Sequence, residues 1–171
     1  YPASITKVLT AIIAIEKLNL DDILTASYSA VMSIPSGYSN AGIKEGEQFT
    51  VIDLLDMFLI HSANEIGYIF AEHISGSISE FANLMNQKAT ELGCKNTHFT
   101  NPSGIQDTEH YTTAYDMAQI TKYCMKNETF RNIVCKTSCK IAPTALYPEE
   151  RYFKNTNSLL DPSNRYYYEY A

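Results

Sequence analysis

A nearly unbroken apolar run lies close behind the first residues of the chain, from Val8 to Leu18. Its apolar side chains would cover almost every face of a helix, and only Thr10 and the pair Glu16 and Lys17 interrupt them. Helices that are apolar all round are buried, so this pattern predicts a helix in the core of the protein.

Helical spacing of apolar residues recurs along the rest of the chain and predicts a mainly helical protein. A Thr or Ser followed three residues later by an acidic residue, the pattern of a capping box, introduces three of the predicted helices. The predicted helices span residues 27–32, 51–59, 63–74, 78–92, 114–126 and 130–134. The other predicted segments are a hairpin over residues 43–50, a polar loop over 96–112, a strand over 136–141, and irregular or extended stretches over 155–160 and 166–170.

Composition and charge describe an ordinary globular chain. Its 171 residues fit one domain, with 45% hydrophobic and 19% charged residues. The net charge is −6 and no basic face is evident in the sequence, which argues against a nucleic-acid partner. No apolar run approaches the roughly 18 residues of a membrane span. The chain begins with Tyr1 rather than Met, so we interpret its start as cut, and the lack of a signal peptide carries no information on location.

Neither the cysteines nor the histidines show the spacing of a metal site. No two cysteines follow Cys-x-x-Cys, so we expect free, buried thiols, with one disulfide as the alternative. The cysteines are Cys94, Cys124, Cys135 and Cys139. No histidine belongs to a His-Glu-x-x-His motif, and the loop pair His98 and His110 has only Asp107 nearby. No metal is therefore predicted.

Ser4 and Lys7 are the first candidates for chemistry. They are three residues apart, so on a helix their side chains would share one face, about 5–6 Å apart at Cβ. A serine hydroxyl becomes a nucleophile when a base takes its proton, and burial can make a lysine amine that base. Pro2 suits a helix start, whose positive end would favour an alkoxide at Ser4. However, a Ser-x-x-Lys match arises about once by chance, and spacing alone favours a capping serine beside a lysine that reaches solvent.

A second polar group, Ser62 and Asn64, lies at the start of a predicted helix. The Ser-x-Asn spacing is also expected about once by chance, and both residue types commonly cap helices. In the functional interpretation, Ser62 relays a proton to the leaving group. Asn64 then donates its amide to a substrate carbonyl and holds Lys7 in place. His61 is adjacent to Ser62, but neighbouring residues on a helix point apart, so we interpret His61 as a partly buried residue at the helix start.

Five blocks in order carry a resemblance to a known family. They are Tyr1-Pro-Ala-Ser-Ile-Thr-Lys7, His61-Ser-Ala-Asn-Glu65, Gly93-Cys-Lys-Asn-Thr-His-Phe-Thr-Asn-Pro-Ser-Gly104, His110-Tyr-Thr-Thr-Ala-Tyr-Asp116 and Asn155-Thr-Asn-Ser-Leu-Leu160. Together they resemble the low-molecular-mass D-alanyl-D-alanine carboxypeptidases, penicillin-binding proteins of the serine β-lactamase-like superfamily. The family more often has Asp at the position of Glu65.

The resemblance implies an α+β fold of the β-lactamase/transpeptidase type, present here mainly as its helical part with few strands. It implies Ser4 as the acylated nucleophile, Lys7 as the general base, Ser62 as the proton relay and Asn64 as a contact to the substrate amide. The implied substrate is the peptidoglycan stem peptide, whose terminal D-Ala is removed through an acyl-enzyme. β-Lactams are implied as trapping ligands, no cofactor is needed, and the implied location is extracytoplasmic.

One family motif is not found where it is expected. Lys-Thr-Gly should follow the block that begins at Asn155, but the chain ends at Ala171 without it. The similar Lys136-Thr-Ser138 precedes that block, so we reject it as a substitute and interpret Lys136 as a solvated strand residue. We therefore expect residues 1–171 to form a partial catalytic domain that lacks the N-terminal strands and the Lys-Thr-Gly strands. Such a fragment should be nearly inactive alone, and its bare sheet edge should favour self-association.

Two other functions stay open on the sequence. The first is a β-lactamase or esterase on the same scaffold, which would release an acyl group from Ser4 in minutes rather than hours. The second is a catalytically silent wall-binding or scaffold protein, whose behaviour would not change on Ser4→Ala substitution.

Overall fold

Helix α1, Lys7–Lys17, lies at the centre of the packing. The computed structural model describes residues 1–167. Leu9 and Ala14 of α1 are fully buried, and the helix contacts five other helices and so has almost no free face. This confirms the core helix that the apolar run predicts, although its start differs. The first residues form a 3₁₀ turn, Ala3–Thr6, and the α-helix begins only at Lys7.

The remaining elements are short and surround α1. The other helices are α2 Tyr28–Met32, α3 Val51–Ile60, α4 Asn64–Ser75, α5 Ile78–Glu91, α6 Ala114–Cys124 and α7 Glu128–Val134. The strands are β1 Ile23–Thr25, β2 Gln48–Thr50, β3 Ser138–Ile141 and β4 Arg151–Lys154. A second 3₁₀ turn occupies Ser158–Leu160.

Side-chain caps explain why three helices begin where the sequence predicts. The side chains of Thr50, Ser77 and Thr113 each accept a hydrogen bond from the backbone N–H three residues later, at the starts of α3, α5 and α6. These bonds satisfy donors that a helix start otherwise leaves free. Gly76, with φ of 75°, ends α4 in the left-handed conformation.

The hairpin predicted over residues 43–50 is wrong. Only Gln48–Thr50 forms a strand, and it pairs antiparallel with β1, with Leu24 opposite Phe49. Both of these side chains are buried, so the pairing places them on the core side of the small sheet. The sequence pattern missed β1 because its three residues are too few to show an alternation.

A second antiparallel pair is formed by β3 and β4, in the register Ser138 to Lys154. The strand predicted over residues 136–141 is confirmed from Ser138 onward, whereas β4 was not predicted. Lys136 is not the solvated strand residue we expected. It precedes β3, and its Nζ lies 2.7 Å from both carboxylate oxygens of Asp56, because α3 packs against this strand.

Several smaller predictions are also resolved by the structure. All four cysteines are free, as expected; Cys124 and Cys139 are buried, whereas Cys135 is exposed. Part of the stretch predicted over residues 166–170, namely residues 168–170, lies outside the described residues. Among the described residues, the helices are too short or too polar to cross a bilayer.

A buried ion pair joins the two small sheets. The guanidinium Nη2 of Arg151, on β4, lies 2.8 Å from a carboxylate oxygen of Glu47, and both side chains are 5% exposed or less. Thr144 also donates to Glu47, and the guanidinium stacks on the ring of Tyr147 at 3.9 Å. Burial alone would raise the pKa of Glu47, but the hydrogen bonds from Thr144, Lys44 N–H and Arg151 hold it below its usual value.

Glu47→Gln should destabilise the protein by about 3–5 kcal/mol, because it leaves the Arg151 charge buried without a full partner. Urea denaturation of the full-length protein at pH 7 measures this loss. Glu45→Gln, at an exposed position two residues away, is the matched control and should change stability by less than about 0.5 kcal/mol. Equal stability of the two variants would contradict the importance of the pair.

Candidate active site

Ser4 and Lys7 meet at the junction of the first 3₁₀ turn and α1. Lys7 Nζ lies 3.2 Å from Ser4 Oγ, so the tighter turn still brings the two side chains to one face. Ser4 is exposed, whereas the Lys7 side chain is buried, with 3% of the residue accessible. The hydroxyl is therefore open to a ligand while the amine is shielded from water.

Lys7 Nζ has two further partners, both of which can only accept a hydrogen bond. Asn64 Oδ1 and the carbonyl oxygen of Ser103 each lie 2.8 Å away. A neutral amine has two hydrogens and one lone pair. The two hydrogens are required by the two acceptors, so the lone pair is left facing the hydroxyl of Ser4. In that state Ser4 donates its proton toward Lys7, the arrangement of a nucleophile with its base.

Burial makes the neutral amine accessible at ordinary pH. It lowers the pKa of Lys7 from 10.5 to about 7, and the carboxyl of Glu65 offsets only part of this effect. Burial also raises the pKa of Glu65, despite hydrogen bonds from backbone N–H groups, including that of Ala41 at 2.6 Å. None of the hydrogen-bond partners of the Lys7 amine among the described residues is a carboxylate.

Asn64 is oriented by its own second contact. Its Nδ2 donates to the carbonyl of Ser39 at 2.7 Å, which leaves Oδ1 for Lys7. Asn64 is the first residue of α4, because the backbone turns at Ser62 and Ala63 between α3 and α4. The sequence predicted this contact between Asn64 and Lys7.

Ser62 lies at the same site and makes no hydrogen bond to Ser4 or Lys7. It lines a cavity of about 420 Å³ together with Ser4 and Lys7, and its hydroxyl has no hydrogen-bond partner among the described residues. Its φ is +63°, and that of Ala3, next to Ser4, is +48°. These are the only non-glycine residues with positive φ in residues 1–167, and such strain commonly accompanies functional sites.

The opposite wall of this cavity comes from the segment that follows β4. Asn155, Thr156 and Asn157 line it, and Thr156 N–H donates to the carbonyl of Ile60 at 3.0 Å. His61 ends α3 rather than starting a helix, and its ring lies 4.6 Å from that of Phe153 on β4. These contacts attach the β3–β4 pair to the site.

A loop at Asn101–Gly104 supplies the carbonyl that binds Lys7. The side-chain oxygen of Asn101 accepts from the backbone N–H groups of Ser103, Gly104 and Ile105, which fixes the turn. Thr10 of α1 donates to the carbonyl of Pro102 at 2.7 Å. The loop is thereby held against α1 beside Lys7.

The sequence missed two features of this loop. A backbone carbonyl carries no side-chain signature, so the contact from Ser103 to Lys7 was not predicted. Gly104 has φ of +85°, and a Cβ there would lie 1.8 Å from the carbonyl oxygen of Ala3. Only glycine therefore lets the loop approach the turn that carries Ser4. The Pro-Ser-Gly turn signal was the available hint.

The histidines considered for a metal have other partners. His98 Nδ1 lies 2.7 Å from the carbonyl of Glu109, and His110 is bonded to Thr6 and Thr100. Within residues 1–167, no three His, Cys, Asp or Glu side chains are grouped so that they could hold an ion.

A serine hydroxyl beside a buried amine, at the mouth of a cavity, is the arrangement of a serine acyl-transfer enzyme. Comparison with known proteins agrees. A family described as D-alanyl-D-alanine carboxypeptidase matches residues 1–167. The D-alanyl-D-alanine carboxypeptidase DacF of Bacillus subtilis is 40% identical over 134 residues, which are 75% of this chain and 33% of DacF. The chain belongs to the D-alanyl-D-alanine carboxypeptidase family.

Solved structures give the same result for the fold. The D-alanyl-D-alanine carboxypeptidase of Mycobacterium tuberculosis superposes with a TM-score of 0.84 at 30% identity, over 95% of this chain and 60% of that one. A Streptomyces DD-transpeptidase superposes with a TM-score of 0.86 at 29% identity, over 95% of this chain and 66% of that one. The predicted α+β transpeptidase-like fold is confirmed, and the chain spans a third to two thirds of these relatives.

Gly104→Ala should destabilise the protein more than Gly93→Ala, although both glycines have positive φ. A Cβ at Gly93 meets nothing within 4 Å, so that variant bears only the backbone strain of about 1–2 kcal/mol. At Gly104 the clash with Ala3 should add about 1–3 kcal/mol. Urea denaturation of the full-length variants measures the difference. Equal losses would show that the close approach of loop and turn does not exist.

Proposed function

We propose that this chain carries the active-site serine of a D-alanyl-D-alanine carboxypeptidase, which removes the terminal D-Ala from peptidoglycan stem peptides. The observation that carries the proposal is the Lys7 amine. It is buried, held by two acceptors, and lies 3.2 Å from the exposed hydroxyl of Ser4. Family membership supports the substrate class.

In the proposed reaction, Ser4 Oγ attacks the carbonyl carbon of the penultimate D-Ala while Lys7 Nζ takes the hydroxyl proton. The backbone N–H of Ser4 is one candidate donor to the oxyanion of the tetrahedral intermediate. The C–N bond then breaks, and the departing amine of the terminal D-Ala receives a proton by way of Ser62. Water attacks the resulting ester, which releases the shortened peptide and restores Ser4.

The same scheme proposes roles for the remaining site residues and ligands. For Asn64, which binds Lys7 at the start of α4, the proposed role is to offer the remaining hydrogen of its amide to a substrate carbonyl. β-Lactams would acylate Ser4 and persist, because their leaving group stays tethered to the acyl chain. No cofactor takes part in the scheme. We also propose an extracytoplasmic location, since the proposed substrate is part of the cell wall.

Ser4→Ala should abolish labelling of the full-length protein by a fluorescent penicillin, because the variant has no hydroxyl to acylate. Ser36→Ala, at an exposed position that takes part in no described side-chain hydrogen bond, is the matched control and should label like the wild type. Labelling that persists in Ser4→Ala would contradict the proposal. Loss of the label from the wild type within minutes would instead identify a β-lactamase.

The rate of acylation should rise with pH through about 7 and then level off, because only the neutral amine of Lys7 can take the serine proton. Two pH units below that value the rate should be lower by about 100-fold, since the neutral fraction falls tenfold per unit. Stopped-flow measurement with a chromogenic cephalosporin between pH 5 and 9 tests this. A rate that is flat over that range would exclude Lys7 as the base.

The isolated 171-residue chain is proposed to have little catalytic activity and to self-associate. Its sequence holds no Lys-Thr-Gly after Asn155, and loss of one oxyanion donor costs roughly 10²–10³ in rate. In the described residues β4 pairs only with β3, and Tyr152 on it is 60% exposed. Rapid labelling of the isolated chain by a fluorescent penicillin would overturn the proposed loss of activity. A strictly monomeric state by light scattering would overturn the proposed self-association.

A further inference from the structure

His110 is a buried histidine that the proposed reaction does not use. It is 2% exposed, and it lies far along the chain from Ser4, in the turn before α6. The edge of its ring packs on Phe99 at a centroid distance of 5.4 Å. Its two ring nitrogens contact two different segments of the site, at Thr100 and at Thr6, and these two contacts determine its role.

The contact to Thr100 determines the tautomer of His110. The backbone N–H of Thr100 lies 3.0 Å from Nδ1, and a backbone N–H can only donate. Nδ1 is therefore an acceptor, and the proton of the neutral ring is on Nε2. Nε2–H then donates to Thr6 Oγ1 at 2.8 Å.

Thr6 lies between the two reacting groups in sequence. It is fully buried, two residues after Ser4 and one before Lys7, in the 3₁₀ turn. Its hydroxyl also borders Gly104, where a Cβ would lie 2.9 Å from Thr6 Oγ1. A displacement of Thr6 would therefore move the turn relative to the loop.

These contacts close a ring. His110 binds the loop at Thr100 and the turn at Thr6, while three residues further along the loop Ser103 binds Lys7. The relative position of turn and loop sets the distance from the Lys7 amine to Ser4. A misplacement of about 1 Å at such a site can cost on the order of 100-fold in rate.

We propose that His110, as the neutral tautomer with its proton on Nε2, is a positioning residue that acts through Thr6 to hold Ser4 and Lys7 in reacting geometry. The inference rests on the proposed function. Burial lowers the pKa of His110 to about 4, with the carboxyl of Asp107 opposing this and His98 adding to it. The ring therefore stays neutral throughout the range in which Lys7 titrates.

Two substitutions at this position separate the two contacts. His110→Asn places an oxygen near Nδ1, which can accept from Thr100, but it cannot reach Thr6. His110→Gln places an amide nitrogen near Nε2, which can donate to Thr6. We expect His110→Asn to lower the rate constant for acylation by a fluorescent penicillin about 10–100-fold. The dissociation constant of the penicillin should change little. His110→Gln should stay within about threefold of the wild type.

Thr6→Val removes the hydroxyl and keeps the shape. It should lower the acylation rate constant as His110→Asn does, and the double variant should be no slower than either single one, because both break the same contact. His98→Asn is the matched control, since His98 bonds to Glu109 in the same loop but does not reach Thr6. Melting temperatures measured on every full-length variant show which ones are folded.

Folded His110→Asn and Thr6→Val variants that react at the wild-type rate would overturn the inference, as would additive losses in the double variant. If the wild type itself is not acylated by any penicillin, the proposed function fails first. Nitrogen NMR shifts of His110 then test the inference independently of activity. A proton on Nε2 that exchanges faster in Thr6→Val supports the contact, and a proton on Nδ1 refutes it.

Discussion

The structure depends on one buried amine. Lys7 lies at the first turn of the central helix α1, and taking its ammonium group out of water is unfavourable unless acceptors replace the lost hydration. Three acceptors surround it, from the 3₁₀ turn, from α4 and from the Asn101–Gly104 loop. Within residues 1–167 no carboxylate lies at hydrogen-bond distance from this amine. The acceptors therefore solvate the ammonium enough for the protein to fold, but so poorly that the amine can lose its proton. In the proposed function, this balance allows Lys7 to take the proton of the Ser4 hydroxyl.

Much of the fold serves to hold those acceptors. Asn101 shapes the loop, Thr10 attaches it to α1, and Gly104 allows it to touch the backbone of Ala3. The positive φ of Ser62 lets α4 begin with Asn64 directed at Lys7. Each of these positions is determined by backbone geometry as much as by side-chain chemistry. The site is therefore a property of how three chain segments meet, and the Ser-x-x-Lys spacing is only one part of it.

The sequence predicts local features well, for a physical reason. Helix starts are encoded by a cap and its neighbours, so the bonds at Thr50, Ser77 and Thr113 could be predicted from four residues each. Local spacing also places Ser4 and Lys7 on one face, but by itself it favoured a lysine that reaches solvent, whereas Lys7 is buried. The roles predicted for Ser62 and Asn64 needed the resemblance to a family for support, because a Ser-x-Asn spacing arises about once by chance and both residue types commonly cap helices.

Features that depend on distant contacts could not be predicted. The pairing of β1 with β2 joins strands more than twenty residues apart, and Lys136 meets Asp56 across eighty positions. The acceptor at Ser103 is a backbone atom that every residue type possesses. The contact between His110 and Thr6 joins residues 104 positions apart, and nothing in either local pattern indicates it.

The most direct test of the central claim is an NMR titration of the Lys7 side chain in the full-length protein, with its Cε carbon followed from pH 5 to 11 and assigned by comparison with Lys7→Arg. The predicted result is a midpoint near pH 7, because burial lowers the pKa of Lys7 to about 7. A midpoint that stays near the ordinary 10.5 would show that the amine is charged at working pH and cannot serve as the base.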